Sequence, residues 1–232
     1  MNPQITTIQF DASTFSADDT LVKLLHASSH DKLLHQSTFT NTVFHTSLSH
    51  NFGDSSGKPM HQESTLTKRL LQLFAQTQNN LLPVAFVCTV EHHALQLPFN
   101  YNDDFPLHPF IVTLGMQFER WRTTLTTLSD SYCAHIIGMW ILHRCTQNIA
   151  AKLDLGDSYQ AIYPGCQLLP ISYNNLIYSL FESKLQNYEI TMNEYMFTPL
   201  HTVAGFLLPH SKANACADCS MTHCEFRNIL TE

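Results

Sequence analysis

The stretch "SDSYCAHIIGMWILHRCTQNIAAKL", residues 129–153, restricts most tightly what this chain can fold into. It has no Asp or Glu from 131 to 153 and predicts one long helix. Ser129 or Asp130 is the expected N-cap, and Gly156 in "DLGD" the expected stop. Its most apolar part, "YCAHIIGMWIL" (132–142), is too short to cross a bilayer and carries His135. Protein, not lipid, is therefore expected to surround this helix, and no membrane partner is expected.

The neighbouring segments supply the cover. "HQESTLTKRLLQLFAQTQ" (61–78) places Leu66, Leu70, Leu71, Leu73 and Phe74 on one helical face. "LPVAFVCTV" (82–90) reads as a strand. "FIVTLG" (110–115) reads as a buried strand ending at a glycine, and "MQFERWRTTLTTL" (116–128) as a helix. "AIYPGCQLLP" (161–170) is a turn-rich loop, and "ISYNNLIYSLFESKL" (171–185) is a helix. Residues 188–210 predict two short strands separated by Pro199. A weak helix lies in "DDTLVKLLHAS", with Asp18 or Asp19 as cap. Strands and helices are mixed, so the expected class is α+β, a mixed or antiparallel sheet with packed helices. The Pro- and Asp-rich connector "LPFNYNDDFPLHP" (97–109) divides residues 1–107, which match no motif, from residues 108–232.

Composition narrows the function. Charged residues are 13% of the 232, against about a quarter in ordinary domains, and the net charge is -7. No basic stripe exists to neutralise phosphates, so no nucleic-acid partner is expected. "MNPQITTIQFD" has neither the basic region nor the apolar core of a secretory signal. Seven cysteines without such a signal point to free or metal-bound thiols and a cytoplasmic protein.

Three of those cysteines, Cys216, Cys219 and Cys224, fall within "CADCSMTHCEFR" (216–227) at C-x2-C-x4-C spacing. Thiolates at such spacings let one loop supply several ligands to an iron–sulfur cluster or to zinc. Cys166, in the "YPGCQ" loop, is the candidate fourth ligand, with His223 as the other. The histidines show neither HExxH nor HxH, and each reads as a satisfied or surface residue. His135 and His143, eight apart on the long helix, fall near one face. Cys88, Cys133 and Cys145 read as small buried residues, and Trp121 and Trp140 as core. Asp103 and Asp104 read as a solvated turn.

The second half has an ordered set of features. Thr113, Leu114 and Gly115 close a strand, and Pro164 and Gly165 form a loop. Met196, Pro199, Val203, Ala204 and Gly205 lie in "ITMNEYMFTPLHTVAGFLLP", and Cys216, Cys219, Cys224 and Arg227 follow. Over roughly residues 108–228 this order resembles the activation (reactivation) domain of cobalamin-dependent methionine synthase, in its stand-alone form with a Cys-rich C-terminus. The resemblance implies a reactivation accessory for corrinoid-dependent methyl transfer. It would bind S-adenosylmethionine or cobalamin, and its partner would be a corrinoid protein or a cobalamin-dependent methyltransferase. It places the ligand at Tyr163, Pro164, Gly165 and Cys166, and assigns no catalytic residue. In the family an Arg before the loop pairs with the methionine carboxylate, whereas no Arg or Lys stands between Lys152 and Lys184 here. Two other functions fit the residues: a non-enzymatic, metal-stabilised binding module of the same fold, and a ferric-siderophore reductase with a C-terminal iron–sulfur centre. The adjacent-cysteine start usual in such reductases is absent.

Overall fold

A computed structural model describes residues 4–11, 14–17, 21–25, 65–91, 95, 97, 98, 105–155, 159–166 and 168–209. The elements are β1 (Ile5–Gln9), α1 (Thr65–Thr77), β2 (Val84–Cys88), β3 (His108–Thr113), α2 (Gly115–Thr123) and α3 (Leu128–Lys152). They continue with β4 (Tyr159–Ile162), α4 (Tyr173–Leu185), β5 (Thr191–Asn193), β6 (Met196–Thr198) and β7 (Thr202–Pro209). One five-stranded sheet runs in the order β1-β2-β3-β7-β4, and β5 and β6 form a separate hairpin. Every pairing in the sheet is antiparallel. The class is therefore α+β with an antiparallel sheet. The sheet takes strands from both sides of the 97–109 connector.

All residues of β2 and β3 are buried, which is unusual in an antiparallel sheet, where one face commonly meets water. The cause is cover on both faces. Ala85, Val87, Phe110, Val112 and Leu207 pack against α1 and α3. Val84, Phe86, Cys88, Ile111, Phe206 and Leu208 pack with Ile177, Phe181 and Leu185 of α4. The alternation of side chains along a strand divides each one between two cores. Cys88, Cys133 and Cys145 are buried as expected, and so is Trp140; Trp121 is half-buried. Phe74 meets Trp140 edge-on at 5.6 Å, joining α1 to α3. Truncating a side chain as large as Trp140 costs about 3–5 kcal/mol.

Several details differ from the sequence reading, among them the end of α2 at Thr123 rather than 128. The N-cap of α3 is Thr127, whose hydroxyl accepts from the Asp130 amide at 3.1 Å. Asp130 already lies in the first turn, and both its oxygens accept from Arg69 of α1 at 2.7 Å. The helix ends at Lys152, and Asp154 turns left-handed with φ 56°; Gly156 lies outside the described residues. The expected loop 161–170 begins inside β4, because Ile162 pairs with Phe206 and is buried. Residues 188–210 contain three strands rather than two, since β5 and β6 pair before Pro199. β1 had no signal in sequence because it is an edge strand with one buried residue, Ile8. Among the described residues no helix is long and apolar enough to cross a membrane.

Candidate functional site

The Tyr163–Cys166 segment leaves the edge strand β4 and closes on itself. The Cys166 amide donates to the Tyr163 carbonyl at 3.2 Å, and the Gly165 amide to the Leu169 carbonyl at 2.7 Å. The Leu169 amide returns to the Cys166 carbonyl at 3.2 Å. Gly165 sits at φ 96°, a region that favours glycine. Several main-chain groups of the described residues are thus occupied within the turn. Tyr163, Pro164 and Cys166 are half-buried and Gly165 is exposed. The Tyr163 ring packs edge-on against Phe110 at 6.0 Å. Leu168 and Ile171, 38% and 44% exposed, stand beside the turn and form an apolar shelf.

Cys166 is a free thiol. Cys216, Cys219, Cys224 and His223 lie outside the described residues, as do Asp103, Asp104 and the His92–His93 pair. Among the described residues no group of three or more His, Cys, Asp or Glu is placed to hold a metal.

The most organised polar cluster is one that sequence reasoning missed. His201, 1% exposed, lies just before β7. Its Nδ1 is 3.0 Å from Glu119 Oε2 on α2, and its Nε2 is 3.2 Å from His135 Nδ1 on α3. Arg122 Nε donates to the other Glu119 oxygen at 2.7 Å. The His201 carbonyl accepts from the Leu114 amide at 3.0 Å, and Phe118 meets the ring edge-on at 4.9 Å. One residue thus ties together α2 and α3 through its ring and the end of β3 through its carbonyl. Burial lowers the His201 pKa, while Glu119 opposes that shift. For Glu119 burial pushes upward, but the hydrogen bonds from His201 and Arg122 outweigh it and hold the carboxyl at about 2.

Gly138 makes this contact possible. A Cβ there would lie 2.3 Å from His201 Cδ2. A glycine inside an apolar helix is itself a signal of close packing, so "HIIGMW" carried a clue. Glu119 and His201, 82 residues apart, carried none. His143 is a different case. It is buried with Nδ1 lacking a hydrogen-bond partner, and burial pushes its pKa down to about 4.

A cleft of about 510 Å³ opens elsewhere, between the end of β1, the end of β3, the start of α2 and the turn after α4. Phe10, Leu82, Gln117, Arg120, Tyr188 and Glu189 are on its walls. Tyr163, Pro164, Gly165 and Cys166 do not line it.

No protein-family model matches the chain, and no curated protein matches it. Among solved structures it is similar to a MetH reactivation domain bound to AdoHcy. Identity is 12% and the TM-score 0.49, over 91% of this chain and 80% of that one. A likeness this distant says nothing about what this chain binds.

Proposed function

We propose that this chain is an accessory protein of corrinoid-dependent methyl transfer. Its Tyr163–Cys166 turn takes S-adenosylmethionine, and its partner is a corrinoid protein or a cobalamin-dependent methyltransferase. The observation that carries this reading is the turn itself. It is closed by its own main-chain bonds, with a half-buried ring and an apolar shelf beside it. A preformed surface of that kind binds without an ordering cost. The sequence resemblance places the ligand at the same residues.

The chemistry of the turn also selects. No Arg or Lys stands between Lys152 and Lys184, so nothing in this stretch pairs with a carboxylate and nothing repels a sulfonium. Aromatic faces attract cations. Recognition then centres on the positive sulfur and the adenine. Isothermal titration should show S-adenosylmethionine binding at least tenfold tighter than its neutral thioether S-adenosylhomocysteine, with Tyr163→Ala abolishing the difference. Absence of a melting shift with either S-adenosylmethionine or cobalamin in large excess would refute the reading.

The cysteines Cys216, Cys219 and Cys224, with Cys166 as fourth, are proposed to hold an iron–sulfur cluster or zinc. Metal analysis of anaerobically purified protein tests this: Cys219→Ser should lose the metal, and unchanged content removes the site. A second reading, a binding module without catalysis, is favoured by the missing loop cation. It expects ligand binding with no methyl transfer to a cob(I)alamin acceptor.

A further inference from the structure

The cleft beside α2 has a charge pattern of its own. Arg120 and Glu189 are the only charged residues among its described walls. They face each other, with Arg120 Nη2 3.3 Å from Glu189 Oε2. Both are about two-thirds exposed, at 70% and 67%. The Arg69–Asp130 pair is different: two 2.7 Å bonds join α1 to α3, with Asp130 only 12% exposed. A long, exposed ion pair contributes little to folding, so a ligand can open it at little cost.

Adjacent unlike charges select the species that satisfies both. A plain anion that meets Arg120 also meets Glu189, and a plain cation meets the reverse. A zwitterion replaces the pair with two new pairs. A planar guanidinium matches a carboxylate with two parallel bonds, and a carboxylate accepts from an ammonium. Glu189 also occupies the left-handed region at φ 56°, where glycine or asparagine is usual after a helix.

The rest of the cleft fits a bulky side chain. Phe10, Leu82 and Tyr188 offer apolar surface, with Leu82 63% exposed. Phe86 meets the Tyr188 ring edge-on at 4.9 Å. About 510 Å³ is within the range of small-molecule sites.

We propose that this cleft binds a free α-amino acid with a bulky apolar side chain, its carboxylate on Arg120 and its ammonium on Glu189. The site is separate from the Tyr163–Cys166 turn and does not depend on the function proposed for it.

The test is isothermal titration of the full chain with L-tryptophan, L-phenylalanine and L-methionine. Tryptamine, which lacks the carboxylate, and N-acetyl-L-tryptophan, which lacks the ammonium, serve as controls. At least one amino acid should bind. For the tightest of the three, Arg120→Ala and Glu189→Gln should each weaken binding at least tenfold, and Tyr163→Ala should leave it unchanged. Both controls should bind at least tenfold more weakly than L-tryptophan if L-tryptophan is a ligand. Failure of all three amino acids to bind at millimolar concentration would overturn the proposal. So would binding that persists in both charge variants while circular dichroism shows them folded. Loss of binding in Tyr163→Ala alone would move the ligand to the other site and end this one.

Discussion

The His201 cluster and the Tyr163–Cys166 turn both border the β3–β7–β4 side of the sheet, yet they spend their polar groups in opposite ways. In the cluster, side chains satisfy one another. His201 has Glu119 on one nitrogen and His135 on the other, and is buried beneath Phe118. In the turn, the main chain satisfies itself and the side chains of Tyr163 and Cys166 stay half-buried at the surface. A catalytic-looking constellation can therefore be architecture, while a plain bend offers the accessible surface. Buried polar networks rigidify a fold when every member is paired, and they are costly when one is not.

Gly205, in β7, is where a single substitution should disturb both regions most. A Cβ there would sit 2.6 Å from the Ile162 carbonyl oxygen and 2.7 Å from Phe110 Cζ. The first obstacle is backbone, so β4 must move and carry the turn with it. Gly205→Ala should cost about 4 kcal/mol in urea unfolding and impair the S-adenosylmethionine binding proposed for the turn as well. Gly138→Ala attacks only the cluster. It should cost about 3 kcal/mol by displacing the His201 ring, while the turn still binds its ligand. If both variants unfold at wild-type denaturant concentrations, the close approaches described above are wrong.

Acid sharpens the contrast next. The Glu119 carboxyl titrates near 2 in the fold and 4.5 in the unfolded chain. Its contribution is complete above about 4.5 and is lost as pH falls towards 2. The loss is on the order of 3 kcal/mol, because the unfolded state takes up the proton first. Glu119→Gln should flatten stability across that window in pH-dependent denaturation.

His143 shows what burial does to an imidazole whose Nδ1 has no hydrogen-bond partner. Its pKa falls from 6.5 to about 4 on folding. Stability tied to its neutral form is complete above 6.5 and drains away as pH drops towards 4. His143→Leu should remove that slope and raise stability at pH 7 by about 1 kcal/mol, since no hydrogen bond is lost at Nδ1. A destabilised His143→Leu protein with the slope intact would mean that another group titrates there. The smallest effect belongs to the turn. Tyr163→Ala should change folding by about 1 kcal/mol, because the ring is only half-buried where it packs against the core and Phe110, while the proposed ligand binding is lost.

Much of the architecture was legible in the residues. The α1 face at Leu66, Leu70, Leu73 and Phe74 follows from helical periodicity, and α3 from its long apolar run. β2 and β3 follow from their branched and aromatic side chains. β1 was not legible, because an exposed edge strand lacks a buried face to leave its mark. The cap at Thr127 was hidden because the competing residue, Asp130, is claimed by Arg69, 61 positions earlier.

What the amino-acid order determined by itself was the helices α1, α3 and α4, the central strands β2 and β3, the burial of Cys88, Cys133 and Cys145, and the turn at Pro164 and Gly165. These depend on neighbours a few positions apart, where periodicity and turn chemistry act. The tertiary structure alone decided that Glu119, His135 and His201 meet, that Gly138 and Gly205 are close approaches, and that Arg120 faces Glu189 across a cleft. Those contacts span dozens of residues. Apart from the glycine within "HIIGMW", nothing local in the chain hints at them, because they exist only once the sheet brings its strands side by side.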